Sequence, residues 1–428
     1  MQTNFTPDQL ADPMLEASEK ALRACVHCGF CSSSCPTYNL LGDELDSPRG
    51  RIYLIKDMQE NDKPASDTVV THLDRCLSCL ACQDICPSDV TYMHLIDGAR
   101  LHIEKTYKRP RPERILRWLI GFSMPRPKAF AWLMRLAGLA KPFKAMLPGR
   151  LSSMVAQAPK VKTAGLSGRN DIFDAPNAKG RVALLAGCVQ QAVGDHINMA
   201  TIRLLNRHGY SVTLLRESQC CGAVNHHLGQ ESPALARVQA NVEAWSTMME
   251  QEGSFDAIIA NASGCGTMLK DYGFVLRNEP LADKAANIAA STQDISEFLA
   301  TLPPLDMTQP VSRVTYQAAC SLRHGQGIID QPLQLLLDAG FEVSQPANPN
   351  LCCGSAGSYN MLQPEIAAQL GDNKAAAIAK TEPEIVASSN LGCMVQLQER
   401  VEAPVVHLVE LLDWASGGKK PEGVSGHD

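Results

Sequence analysis

Sixteen cysteines punctuate the 428-residue chain, and their spacing separates two kinds of chemistry. Eight stand at positions 25, 28, 31, 35, 76, 79, 82 and 86, in the strings CVHCGFCSSSCP and CLSCLACQDICP, two copies of CxxCxxCxxxCP. Three thiolates at that spacing cap three irons of one cubane face, while the fourth, preceding proline, reaches the neighbouring cluster. The pattern assigns Cys25, Cys28, Cys31 and Cys86 to one 4Fe-4S cluster and Cys76, Cys79, Cys82 and Cys35 to a second. Crossed ligation sets two clusters side by side, which suits the passage of single electrons. Structural zinc is the rival occupant, but it ordinarily takes two CxxC pairs rather than a triple.

The other eight form a repeat. Cys188 precedes Cys220 and Cys221 by the same interval that separates Cys320 from Cys352 and Cys353, and Cys265 and Cys393 close the two copies. Adjacent cysteines fit one small tetrahedral zinc poorly, but they can reach different irons of a larger cluster or act as a redox pair. Cys188, Cys220, Cys221 and Cys265 are therefore one candidate further site, and Cys320, Cys352, Cys353 and Cys393 another.

The elements that must position these residues follow from periodicity. Each copy opens with an apolar strand, RVALLAGC or RVTYQAAC, and runs through a helix ending LLNRHGY or LLLDAGF. A strand-to-helix junction then carries the CC pair, and DAIIANASGC or EIVASSNLGC delivers the last cysteine. Strands alternating with helices imply parallel βα units, whose carboxyl ends form a crevice. All four cysteines of a copy should gather there, beside helix N-termini that stabilise thiolates. The expected fold class is thus α+β and α/β: a helical dicluster ferredoxin-like domain over residues 1–100, then a basic helical connector and linker over 101–180. Two α/β cysteine-rich repeats follow, over 181–308 and 309–416, with a disordered tail over 417–428. Ser47 and Pro48 read as the cap and first residue of a helix inserted between the two cysteine runs. Its Arg49 and Arg51 suit either a solvated basic face or a counter-charge to a cluster.

Composition narrows the function. Apolar residues at 45% and charged residues at 20% describe an ordinary globular protein. Cysteine is too sparse for a disulfide scaffold, and with no apolar export segment at the N-terminus a cytoplasmic setting with metal-binding or redox thiols is expected. A net charge of -6 and 22 aromatic residues argue against nucleic acid as a partner. Residues 100–162 depart from that average, with 15 Lys or Arg against Glu104 and Glu113. Trp118 and Trp132 in this stretch suit an amphipathic helix lying on an anionic membrane or an acidic partner, or else helices that simply cover the ferredoxin unit. His27, His226, His227 and His324 lie near the cysteines, and hydrogen-bonded packing is the expectation for each. No P-loop, no GxGxxG after a strand, and no Ser-His-Asp or zincin signature is present, so no catalytic residue is assigned. A conduit of this kind needs a flavoprotein partner to handle two-electron chemistry.

The stretches ACVHCGFCSSSCPTYNLLGDELDSPRGRIYLIK, DRCLSCLACQDICPS, CCGAVNHHL, ASGCG, KDYG and LCCGSAGSY, in that order, resemble the iron-sulfur subunits of bacterial glycolate oxidases. The resemblance runs from about residue 20 to 413. It implies a subunit inactive alone, held by FAD-containing subunits that oxidise glycolate to glyoxylate. Electrons would pass through two 4Fe-4S clusters to a quinone at the inner face of the cell membrane. The C-terminal repeats look like the cysteine-rich CCG domains of heterodisulfide reductase, which admits a further cluster or thiol-disulfide chemistry. Ala262 and Asn390 replace the first cysteine of that family's closing CxxC. Subunits of D-lactate and glycerol-3-phosphate dehydrogenase complexes are similar, and the substrate would be set by the flavin partner.

Overall fold

A computed structural model describes residues 1–147, 149–161, 171–216, 218–307, 312–348 and 350–424. The first hundred residues are helical. Helix Pro13–Ala24 begins at Asp12, whose carboxylate accepts from the Met14 and Leu15 amides. Helix Pro48–Glu60 begins at Ser47, whose hydroxyl accepts from Gly50 N at 2.9 Å, as the Ser-Pro pair predicts. With Asp67–Asp74 and Tyr92–Thr106 they enclose Leu22, Ile55, Leu73, Leu95, Ile96 and Ile103, none of them accessible to solvent. Each such side chain contributes about 1.5 to 3 kcal/mol.

The rest is built on two sheets. In the first, strands β1 (Asp171–Phe173), β2 (Gly180–Leu185), β3 (Tyr210–Leu215), β4 (Ala257–Ala260) and β5 (Thr292–Asp294) lie in the order β1-β3-β2-β4-β5. All pairings are parallel except β1 with β3. In the second, β6 (Arg313–Gln317), β7 (Glu342–Ser344), β8 (Ile385–Ser388) and β9 (Val405–His407) are ordered β7-β6-β8-β9, all parallel. Without β1 the two orders are identical, so the duplication seen in the cysteines extends to topology. It extends to detail as well: β5 and β9 each end in a capping box, Asp294 with Glu297 and His407 with Glu410.

One hydrophobic core runs through both repeats, joining Val182, Leu184 and Ile259 to Val314, Tyr316 and Val386. Asp413, fully buried, receives Arg203 at 2.6 Å and also Arg207, locking the helices Asp195–Arg207 and Leu408–Ala415 together. The connector also joins this core. Helices Arg111–Ser123 and Pro127–Ala140 insert Ile120, Phe130 and Ala131 into it. Among the described residues no helix is long and apolar enough to cross a membrane.

Two boundary expectations change. The linker expected over 165–180 lies partly outside the described residues, but 171–173 form edge strand β1. That strand is too short for its alternation to be read from sequence. Of the tail expected over 417–428, the described part folds back, with Gly418 N donating to Asp413 O at 2.7 Å and Val424 buried in the shared core. Residues 425–428 lie outside the described residues.

The His407 cap makes stability pH-dependent. Its Nδ1 accepts from Val409 N at 3.2 Å, and burial, with help from His196, depresses its pKa to about 3. The folded state keeps the ring neutral while the unfolded chain protonates it below about 6.5. The stability it contributes is therefore complete above pH 6.5 and is lost as pH falls toward 3. His407→Asn keeps a cap acceptor but does not titrate. Urea unfolding between pH 6 and pH 4 should show wild type losing about 1.4 kcal/mol per pH unit relative to this variant. A pH-independent difference would contradict the assignment.

Candidate functional site

The two N-terminal cysteine runs fold alike because both use left-handed backbone at the same two places. His27 (φ 58) and Gly29 (φ 85) lie between the cysteines of the first run, and Ser78 (φ 50) and Leu80 (φ 62) occupy the matching positions of the second. Alternating left-handed residues curl the chain so that successive amides point inward, a concavity that favours anions. Short helices Phe30–Ser34 and Ala81–Asp84 follow. Cys35 then precedes helix Pro36–Leu41, and Cys86 precedes Pro87.

This backbone creates two adjoining pockets. Cys25, Cys28, Cys31 and Cys86 line the first, which opens to solvent. Cys35, Cys76 and Cys79 line the second. Cys82 borders both. The last cysteine of each run thus faces the pocket of the other. Cys28 is exposed at the first pocket, whereas Cys35, Cys76 and Cys82 are buried.

Electrostatics fit these pockets to an iron-sulfur group. Burial pushes the Cys25 thiol up, Cys31 to about 11, and Cys79 and Cys82 well above the usual range. Such thiols ionise only against local positive charge, which coordinated iron provides. The protein adds its own. Arg51, almost wholly buried, donates to Cys35 Sγ at 3.7 Å, His72 O at 2.8 Å, Thr37 Oγ1 at 3.0 Å and Asp46 Oδ1 at 3.3 Å. Burial opposes its charge, but Cys76, Tyr92, Cys35 and Asp46 more than restore it and raise its pKa. A solvated basic face is therefore wrong for Arg51. Arg49 does stay near the surface, paired with Glu44 at 2.8 Å.

The repeat cysteines also come together, each quartet at the carboxyl edge of its sheet. Cys188 Sγ lies 3.3 Å from Cys220 Sγ, and Cys221 bonds both Cys220 and Cys265. In the second copy Cys353 Sγ lies 3.1 Å from Cys393 Sγ, and Cys352 bonds Cys320 and Cys353. All eight are free thiols. Hydrogen bonds from their neighbours hold one sulfur of each adjacent pair low, the first in one copy and the second in the other: Cys188 and Cys221 act on Cys220, and Cys352 and Cys393 on Cys353. The copies differ beneath the sulfurs. In the first, Asn241 and Tyr272 bond the Cys220 and Cys221 carbonyls at 3.2 and 3.0 Å. In the second, fully buried Lys374 adds positive charge beside Cys353.

The second quartet adjoins the N-terminal unit. Leu77, Cys352 and Tyr359 pack in one cluster against Cys79 and Cys320, and Tyr359 Oη donates to Arg75 O at 3.0 Å. Four imidazole-carboxylate contacts tie the N-terminal unit to the repeats, one to the second and three to the first. His94 meets Asp271 at 2.9 Å, His324 meets Asp84 at 2.9 Å, and Asp97 is shared by His226 and His227 at 3.3 and 3.2 Å. Burial alone would raise the Asp97 pKa, yet His227 and His226 hold it well below the usual carboxylate range. Packing partners therefore account for three of the four histidines near the motifs. Arg51 is a candidate counter-charge from sequence, whereas Asp97 and Lys374 are not identified there, because burial of a lone charge leaves no periodic signal.

Known proteins share these features. The 4Fe-4S dicluster domain family matches residues 21–90, and the cysteine-rich CCG domain family matches 182–270 and 314–398. The glycolate oxidase iron-sulfur subunit of Escherichia coli is 38% identical over 97% of this chain and 99% of its own length. The probable glycolate oxidase iron-sulfur subunit of Bacillus subtilis is 32% identical, covering 94% and 95%. A crystal structure of a hypothetical protein from Helicobacter pylori shares the fold, with a TM-score of 0.51 at 10% identity over 96% of this chain and 74% of that one.

The CCG glycine has a steric cause that can be tested. Gly354 is left-handed (φ +82), and an added Cβ would stand 2.4 Å from the Ala367 carbonyl oxygen in the following helix. Gly357, also left-handed (φ +65), has nothing within 4 Å of that position. Gly354→Ala should cost about 2 to 5 kcal/mol in denaturant unfolding, from backbone strain plus overlap. Gly357→Ala should cost only about 1 to 2 kcal/mol.

Proposed function

The chain belongs to the family of glycolate oxidase iron-sulfur subunits, and from that premise we propose that it is the electron conduit between a flavin subunit and the respiratory quinone pool. The observation that carries this reading is the pair of adjoining cysteine pockets with Cys82 at their common wall. Cys25, Cys28, Cys31 and Cys86 would hold one 4Fe-4S cluster, and Cys76, Cys79, Cys82 and Cys35 the other. Bound there, such clusters accept and release one electron at a time, which complements hydride transfer from glycolate to FAD in partner subunits.

The chain's own residues set direction and insulation. Exposed Cys28 marks the edge that a redox partner reaches without disturbing the fold. Arg51 places a buried positive charge and a hydrogen bond on the second pocket, and both favour the reduced state there. The contact of Cys79 with the Cys320 quartet continues the path into the second repeat, where Cys320, Cys352, Cys353 and Cys393 form the better-placed candidate for a further cluster. Cys188, Cys220, Cys221 and Cys265 form the other. The adjacent sulfurs in each quartet also support a second reading, thiol-disulfide exchange at the repeats. The work takes place at the cytoplasmic face of the cell membrane, where a quinone is accessible.

Anaerobic purification should yield about eight irons per chain for two cubanes, and more if a repeat carries a cluster. Co-expressed with its flavin subunits, the chain should support glycolate-dependent reduction of a quinone analogue; alone it should not. Glycolate-dependent dye reduction by the lone chain would overturn the conduit reading. A complex active on D-lactate but not on glycolate would move the substrate assignment.

A further inference from the structure

We propose that the helical connector forms a docking face for an anionic lipid surface. Helices Arg111–Ser123 and Pro127–Ala140 each have two unlike sides. Inward, Ile120, Phe130 and Ala131 pack into the core shared by the two repeats. Outward, Ile115, Trp118 and Phe122 make a stripe at helical spacing on the first helix, and Trp132 and Leu139 continue it on the second. Phe143 extends it into the following turn. Trp118 and Trp132 are 61% and 62% exposed, whereas the other two tryptophans, Trp245 and Trp414, are buried. Among the described residues, nine of the sixteen exposed large apolar side chains fall between residues 115 and 151. A folded surface rarely concentrates apolar area this way without a partner.

Charge identifies that partner. The only acids among residues 100–162, Glu104 and Glu113, are already engaged by Arg109 and Arg117, which also hold buried Asp74. Among the described residues Arg111, Arg114, Lys128, Arg135 and Lys144, on the exposed side, have no carboxylate partner. The exposed apolar residues therefore stand among unneutralised cations on the same two helices and the turn that follows. The remainder of the chain is strongly acidic, which would orient the connector toward an anionic sheet. Arg126 holds Phe122 outward, donating to its carbonyl at 2.7 Å and lying over its ring at 4.2 Å, and Trp118 stacks on Phe122 at 5.4 Å. Aromatic rings with flanking Lys and Arg on a surface-lying helix match the headgroup zone of a bilayer, with cations drawn to anionic lipid. The proposal rests on the membrane-side role given above for its biological sense, but the binding itself needs neither glycolate nor a flavin partner.

Vesicle flotation of the purified, cluster-loaded full chain tests it. The chain should float with phosphatidylcholine vesicles containing about 30% phosphatidylglycerol in low salt. Binding should fall roughly tenfold on phosphatidylcholine alone, or when salt is raised to about 0.5 M. The double variant Trp118→Ala, Trp132→Ala should bind roughly tenfold more weakly with its cluster absorbance unchanged, which excludes unfolding as the cause. Absence of flotation at low salt would overturn the proposal, as would equal binding by the double variant. Loss of a co-purifying flavin subunit from the double variant, without vesicle binding by wild type, would overturn it in favour of a protein partner. Glycolate-dependent quinone reduction by the detergent-solubilised complex reports separately on the conduit reading, so the two can fail independently.

Discussion

Everything in the N-terminal half converges on the problem of keeping negative charge inside a protein, and Arg51 is the residue through which it is met. A buried guanidinium is costly unless its donors are used. Here they reach Cys35, His72 O, Thr37 and Asp46, and Asp46 in turn receives His72 at 3.0 Å and Arg75 at 2.9 Å. The network joins the loop after the first cysteine run, the helix Pro48–Glu60 and the helix that leads into the second run. Because both runs must be in register for the last cysteine of each to cross over, a charge network that binds them together is as much a part of the pockets as the sulfurs. The tight approach of Gly50 to the Glu44 carbonyl serves the same end, since a Cβ there would stand 2.1 Å from that oxygen and displace the loop carrying Asp46.

Duplication has produced two repeats with one topology but different environments. The strand orders match and the capping boxes match, yet the polar residue under the sulfurs is Tyr272 in one copy and Lys374 in the other. A hydroxyl that bonds a carbonyl stabilises the loop and brings no charge of its own to the sulfurs. A buried ammonium favours thiolate or another anion in the space above it. The copy with the ammonium is also the copy that adjoins Cys79. Gene duplication supplies two equal scaffolds, and both meet the N-terminal unit, but only the second brings its cysteines against a cysteine of that unit.

Much of this was legible in the sequence because its signals are local. Cysteine spacing, the Ser47-Pro48 cap and the strand-helix alternation of each repeat depend on neighbours within a few residues. The features that stayed hidden depend on distant ones. Arg51 reads equally as a solvated helical arginine or a cluster counter-charge, and only residues 21 to 25 positions later in the chain, His72 and Cys76, decide between the two. The Asp97 site needs His226 and His227 from another unit, and β1 is a three-residue strand defined only by its partner β3. Leu80 shows a third limit: glycine announces left-handed backbone in the first cysteine run, but its counterpart in the second is a leucine held in the same conformation by its surroundings.

The exposure of the sulfurs themselves supplies a direction. Cys28 faces solvent, Cys82 lies buried at the wall between the pockets, and Cys352 and Cys353 are among the least accessible cysteines in the chain. Charge moving along that series passes from a solvated edge into a medium of lower polarity, where each step requires a fixed counter-charge. The chain supplies one at each stage: Arg49 near the surface, Arg51 at the second pocket, Lys374 in the second repeat. Among the described residues, the cation acting on the first quartet, Cys188 to Cys265, is Arg237, which is only half-buried, and this quartet lies in a separate cluster from the contact at Cys79. The buried cations Arg51 and Lys374 therefore compensate sulfurs on the two sides of the contact at Cys79, one in the N-terminal unit and one in the second repeat.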